Sequence, residues 1–290
     1  MALQLSSSRL TATVDPLGAQ LTSLKLDGTE RLWQGDPSVW NEHAPVLFPI
    51  VGRVRNGVYR YQGKEYSIAC PHGFARTSLF SVTEQTASKV TLRLLPDDQT
   101  EKQYPFFFVF DVTYELEENV LRMTFRVQND GANEMYYSFG AHPGFRIPPD
   151  DGTRFEDWYL RFAEGETLTE ATLDGIFMSG ETRPLPYAQG RDVPLNHEMF
   201  ANDAFILTGL QNKTVQLRSG KSPHKVTVDC SGFDYLAFWQ AYSKAEYLCV
   251  EPWNGLPSLI GSDEDLTKKL AIRRLAPDGV EICELTIVLE

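Results

Sequence analysis

Alternation of apolar and polar residues, broken by turn pairs and seldom giving way to a helical period, constrains this chain more than any other feature. Leu121, Met123, Phe125 and Val127 interleave with Arg122, Thr124, Arg126 and Gln128. Val90, Leu92 and Leu94 alternate with Lys89, Thr91 and Arg93, and near the C-terminus Cys283, Leu285, Ile287 and Leu289 share one face. Successive side chains of a strand point to opposite sides of a sheet, so each run reads as a half-buried strand. Asp27-Gly28, Asn56-Gly57, Asp130-Gly131 and Asp278-Gly279 punctuate these runs with pairs that tolerate positive φ and favour tight reversals. Residues 58–61 and 64–68, joined through Gln62-Gly63, read as a hairpin. The denser run 106–112 fits a strand buried on both faces, although periodicity alone does not separate it from a buried helix.

Helical spacing predicts one short helix over residues 262–270, with Ser262 as cap and Asp265 at the third helical position. No internal repeat, low-complexity tract or Ser/Gly linker divides the 290 residues, and all-β domains of more than about 200 residues are ordinary. The expectation is an all-β chain, a single domain over 1–290, built from many antiparallel strands with few short helices.

A net charge of −12 excludes the basic footprint that a phosphate backbone demands, so nucleic acid is not an expected partner. No apolar run reaches membrane-spanning length, and the N-terminus lacks the charged and apolar regions of a signal peptide. Cys70, Cys230, Cys249 and Cys283 show neither zinc-like spacing nor a dense disulfide framework. A reducing, cytoplasmic compartment and no bound metal are expected.

Two histidines stand among glycines and aromatics, the composition of shaped loops where ligand or backbone approaches closely. His72 lies in Cys70-Pro71-His72-Gly73-Phe74-Ala75-Arg76, and His142 in Phe139-Gly140-Ala141-His142-Pro143-Gly144-Phe145. A histidine hydrogen-bonded within its own loop is the alternative for each. Glu251 follows the apolar Tyr247-Leu248-Cys249-Val250 and precedes Pro252-Trp253. Desolvation at the end of a buried strand would raise its pKa toward the range of a general base; a structural ion pair is the alternative. His142 and Glu251 each precede proline, which holds the backbone extended. Arg53, Arg55 and Arg76 surround the first histidine loop, with simple ion pairing the favoured reading for Arg55. Among the five tryptophans only Trp253, beside Glu251, is singled out for the site. Asp203 either accepts from a ligand hydroxyl or caps a turn. This inventory suits proton transfer better than covalent or metal chemistry.

At these residues the chain resembles the aldose 1-epimerase (galactose mutarotase-like) superfamily, most closely its LacX-like branch. The resemblance is carried by Gly18-Ala19 with residues 21–24, by the run 44–53 ending in Gly52-Arg53, and by His72-Gly73-Phe74-Ala75-Arg76. It continues through Ala141-His142-Pro143-Gly144-Phe145, Phe200-Ala201-Asn202-Asp203-Ala204 and Glu251-Pro252-Trp253, in the family's order and over nearly the whole chain. It implies a β-supersandwich of two large, curved antiparallel sheets with a sugar cleft, and no cofactor. It implies Glu251 as general base at the anomeric hydroxyl and His142 as general acid at the ring oxygen. His72, Arg53 and Asp203 would hold the substrate. The segment Gly52-Arg53-Val54-Arg55-Asn56-Gly57 lacks the Asn-Arg-Ile that follows the comparable pair in galactose mutarotases. That leaves the identity of the aldose open. Arg53 with Arg76 also leaves open a hexose-6-phosphate epimerase, and a non-catalytic carbohydrate-binding protein is the remaining alternative.

Overall fold

The computed structural model describes residues 2–68, 70–149, 151–242 and 245–290. Among them, every pairing between the named strands is antiparallel. The alternating runs are strands: Lys89–Leu94, Val120–Asn129 and Val280–Leu289 lie in one nine-stranded sheet with Phe108–Glu117. The dense run enters that last strand, whose residues 108–112 are all buried. Val58–Tyr61 pairs with Lys64–Ser67 as the predicted hairpin. The turn between Gln20–Leu26 and Thr29–Glu30 uses Asp27 and Gly28, both at positive φ.

The expected helix at 262–270 is not formed. Only a 3-10 turn, Leu266–Lys268, occurs there. Asp265 is its cap rather than an interior residue, its carboxylate accepting from the Thr267 N–H at 3.0 Å. Ser262 donates instead to Glu264 at 2.8 Å. Short polar side chains bonding their own neighbourhood in this way compete with helix continuation.

A second sheet of eight strands carries the site. Its order runs Phe177–Pro184, Thr169–Asp174, Phe205–Thr208, Tyr235–Trp239, Tyr247–Asn254, Phe139–Ala141, Val46–Leu47, with Gly144–Arg146 also on Tyr247–Asn254. Aromatic contacts join the two sheets: Phe125 to Phe139 at 6.0 Å, Phe110 to Phe48 at 4.5 Å and Phe162 to Phe238 at 6.1 Å between ring centroids. Each such fully buried ring stabilises by roughly 1.5–3 kcal/mol.

Period two then decides which residues leave the core. Along Tyr247–Asn254, Leu248 and Val250 enter the main core with Leu236, Phe238 and Leu207. Cys249 and Tyr247 pack on the other face with Trp40 and Trp239, and Trp253 packs there with Ile206 and Ala237. Glu251 has the parity of this second face, so a sheet buried on both sides delivers one carboxylate to a covered surface. No described helix is long and apolar enough to cross a membrane.

Candidate active site

Strand register brings the remote histidine and glutamate together. Phe139 pairs with Asn254, Gly140 with Trp253 and Gly144 with Cys249. The same register continued across the break sets His142 opposite Glu251. Backbone bonds on both sides hold the break: the His142 N–H donates to Pro45 at 3.1 Å, and the Val250 N–H donates to Pro143 at 3.1 Å. On its other side Glu251 is paired with Ala237, whose small side chain leaves room beside the carboxylate. The result is His142 Nε2 at 3.2 Å from Glu251 Oε2, with both residues buried.

A cavity of about 340 Å³ opens over this pair, within the size range of small-ligand sites. His142, Glu251, Arg53, His72, Arg76, Asp203 and Trp253, the residues singled out in the sequence, all line it. Arg55 does not; it faces Glu264 at 3.9 Å and donates to the Ser262 carbonyl. Trp40 and Trp239 also line the cavity, correcting the reading that only Trp253 among the tryptophans belongs there. Their rings stand 5.1 and 5.6 Å from the His142 ring. Trp239 takes the cavity face of its strand by alternation with Phe238, a signal present in the sequence. Trp40 comes from the turn-rich segment before His43, and nothing local marks it.

Burial sets the protonation of the pair. The Glu251 carboxyl is pushed well above its ordinary range, first by desolvation and then by the charge of Asp203; the Trp253 indole and Arg76 oppose this weakly. His142 is pushed well below its ordinary value by burial, then by His72 and Arg76. Both shifts disfavour charge and favour a neutral carboxylic acid beside a neutral imidazole. Neither Glu251 oxygen nor His142 Nδ1 meets hydrogen-bond geometry with any described residue. Orphaned buried polar atoms are costly and rare, and here both residues line a cavity where a ligand's hydroxyls would offer partners.

His72 is locked in one tautomer. Its Nδ1 accepts the Gly52 N–H at 3.1 Å, which leaves the proton on Nε2 as a donor. Burial and the Arg53 charge lower its pKa to about 4, so it is neutral at physiological pH. Its backbone adopts φ 63°, and its N–H and carbonyl are bonded to Gly52 and Phe48. The next residue, Gly73, has φ 76°, and a Cβ there would lie 2.3 Å from the Phe48 carbonyl oxygen. Gly73→Ala is therefore expected to cost about 1–3 kcal/mol or more of stability, read as a lower urea midpoint. An unchanged midpoint would show that the loop has another way to seat His72.

The two cavity arginines are not equivalent. Arg76 forms a two-pronged pair with Glu42, one arm at 3.0 Å, and its third nitrogen donates to the Pro71 carbonyl at 3.3 Å. Arg53 makes no ion pair or side-chain hydrogen bond among the described residues. Asp203 lines the cavity, and its Oδ1 accepts the Ala204 N–H at 2.9 Å. Its pKa is raised, mainly by burial. His142, Cys249 and Glu251 place possible metal-ligand atoms within 4.8 Å of one another. Burial, followed by the Glu251 charge, pushes the Cys249 thiol well above its usual range, which makes it a poor ligand at neutral pH.

The sheet architecture carrying this cavity is that of the galactose mutarotase-like proteins. A galactose mutarotase related enzyme from Lactobacillus acidophilus superposes with a TM-score of 0.96 at 32% identity, covering 100% of this chain and 97% of that one. A galactose mutarotase-like protein from Lactobacillus casei gives 0.94 at 31%, covering 100% of both chains. Protein LacX (chromosomal) of Lactococcus lactis subsp. lactis is 33% identical over 286 residues, 96% of this chain and 95% of its own length. The aldose 1-epimerase family model matches residues 1–273, and the chain belongs to that family. Membership supports a mutarotase-like isomerase function on a carbohydrate ligand.

Proposed function

We propose that this chain interconverts the α and β anomers of an uncharged aldose by ring opening and reclosure. The observation that carries the reading is the 3.2 Å contact of His142 with Glu251 in a cavity that leaves their polar atoms unpaired. The pair holds one titratable proton between its members. With that proton on His142, the Glu251 carboxylate takes the anomeric hydroxyl proton while the imidazolium gives its proton to the ring oxygen, and the C1–O5 bond breaks. The products are an open-chain aldehyde, a neutral imidazole and a carboxylic acid, which is the charge state that burial favours. Rotation about C1–C2 and closure on the other face reverse both transfers. His72 Nε2–H and Arg53 donate to substrate hydroxyls, Asp203 accepts from them, and the tryptophan faces pack against the sugar's C–H face.

An uncharged ligand is favoured over a phosphorylated one by the arginine pairing. Glu42 already occupies the fork of Arg76, which leaves Arg53 as the one cavity arginine without an ion pair among the described residues, a single charge against a dianion. Polarimetry of freshly dissolved α-glucose and α-galactose tests the reading, with acceleration over buffer expected for at least one. No acceleration across a panel of aldoses would leave a carbohydrate-binding protein instead. A kcat/KM for glucose 6-phosphate above that for glucose would overturn the uncharged-substrate clause alone.

A further inference from the structure

The nine-stranded sheet ends in the strands Asp192–Pro194, Trp158–Arg161 and Thr214–Ser219, the first of them at its edge. Parity divides their side chains. Leu160, Val193 and Leu217 enter the main core, so Arg161, Asp192, Gln216 and Arg218 take the opposite face. Register then gathers them: Arg161 pairs with Asp192 on one side and with Gln216 on the other, and Arg218 lies two residues further along. Arg191, one residue before the edge strand, joins Arg161 and Arg218 around a pocket of about 330 Å³.

Three guanidinium groups line this pocket, and one carboxylate answers them. Arg161 holds both Asp192 oxygens, at 2.7 and 2.6 Å. That hydrogen-bonded pair comes first in holding the Asp192 carboxyl below its ordinary range; burial opposes it, and the charges of Arg191 and Arg218 reinforce it. Neither Arg191 nor Arg218 makes an ion pair among the described residues, and Arg218 Nε is buried without a hydrogen-bond partner there. The amide oxygens of the lining already accept: Gln216 Oε1 from Arg218 at 3.4 Å, and Asn212 Oδ1 from the Thr214 N–H at 2.9 Å. Glu166, also near Asn212, is engaged by the Gln211 and Asn212 N–H groups at 3.2 and 2.6 Å. What remains is a set of donors with a surplus of about two positive charges. In a chain of net charge −12 that surplus is local, and it belongs to a different sheet from the one that carries the acid–base pair.

We propose that this pocket binds the phosphate of a small phosphate monoester, at a site separate from the acid–base cavity. A monoester carries about −1.5 to −2 charges at pH 7, which matches the surplus, and its oxygens accept from guanidinium forks. The volume is that of a small-ligand site rather than of a lone ion, and the Gln216 and Asn212 amides and the Thr214 hydroxyl would meet the organic part.

Calorimetric titration with glycerol 3-phosphate, which has no anomeric carbon to engage the acid–base pair, tests the proposal, with inorganic phosphate run alongside. Saturable binding at one site is expected, weakening as salt rises, with the ester tighter than free phosphate. Arg218→Met and, at the exposed edge, Arg191→Ala should each weaken it about tenfold, whereas Arg53→Met should leave it unchanged. No saturable binding, or an affinity that neither Arg218→Met nor Arg191→Ala moves, overturns the site. Loss on Arg53→Met alone would put the anion in the acid–base cavity and overturn it as well. Equal affinities for the ester and for phosphate overturn the ester and leave a site for free phosphate. Anomerisation by the Arg191→Ala protein, read by polarimetry, is expected at the parental rate, so this site and the proposed function stand or fall separately.

Discussion

Glu251→Gln is expected to lose about two to four powers of ten in anomerisation rate while melting no lower than the parent chain, and higher at alkaline pH. Glutamine keeps the shape of the side chain but cannot accept the anomeric proton. The stability half follows from the direction of the Glu251 shift. Its native pKa is raised well above the ordinary carboxylate range by burial first and by Asp203 second. A raised native pKa contributes stability that is fully present below the unfolded value and is lost as pH climbs toward the native one, because the folded state then holds a proton that the unfolded chain has released. Each unit of displacement corresponds to about 1.4 kcal/mol. The amide never ionises, so the variant escapes this loss. Scanning calorimetry at pH 5 and pH 8 should show the variant's advantage growing with pH. Near-parental turnover would remove Glu251 from the chemistry, and a melting penalty at pH 8 would contradict the burial argument.

The fold was legible wherever one local rule decides it. Alternation in Val120–Asn129 and Val280–Leu289 names both the element and its buried face, because a strand's period is a property of its own residues. The segment 262–270 misled for the same local reason: Ser262 and Asp265 are good helix caps and equally good turn formers, and their side chains bond their own neighbours in the turn. Glu251 and the two histidine loops announced themselves through composition and through resemblance to the aldose 1-epimerases. Three features were out of reach because each is a relation between distant segments. The register that sets His142 opposite Glu251 is one, the Glu42 carboxylate that occupies Arg76 is another, and the placement of Trp40 over His142 is the third. The Arg76 pairing matters most, since it turns an arginine that looked available for phosphate into a neutralised one.

His142→Asn is expected to lose about as much rate as Glu251→Gln, and the double substitution little more than either alone. Each transfer in the proposed cycle needs the other: without an acid at the ring oxygen, the C1–O5 bond does not break when the base takes its proton. Losses that multiply in the double variant would mean that the two residues act independently, against the coupled transfer proposed for a pair in 3.2 Å contact. The same coupling shapes the pH profile. Adding a proton to the resting pair yields an imidazolium beside a carboxylic acid, and removing one yields a carboxylate beside a neutral imidazole. Burial penalises both charged forms, lowering the first ionisation through His142 and raising the second through Glu251. In kcat/KM, which reports the free protein, the acid limb should lie well below the ordinary histidine range and the alkaline limb well above the ordinary carboxylate range, and both limbs belong to the pair. An acid limb near 6.5 would signify a solvated histidine, and the buried, paired site derived from the register would then be wrong.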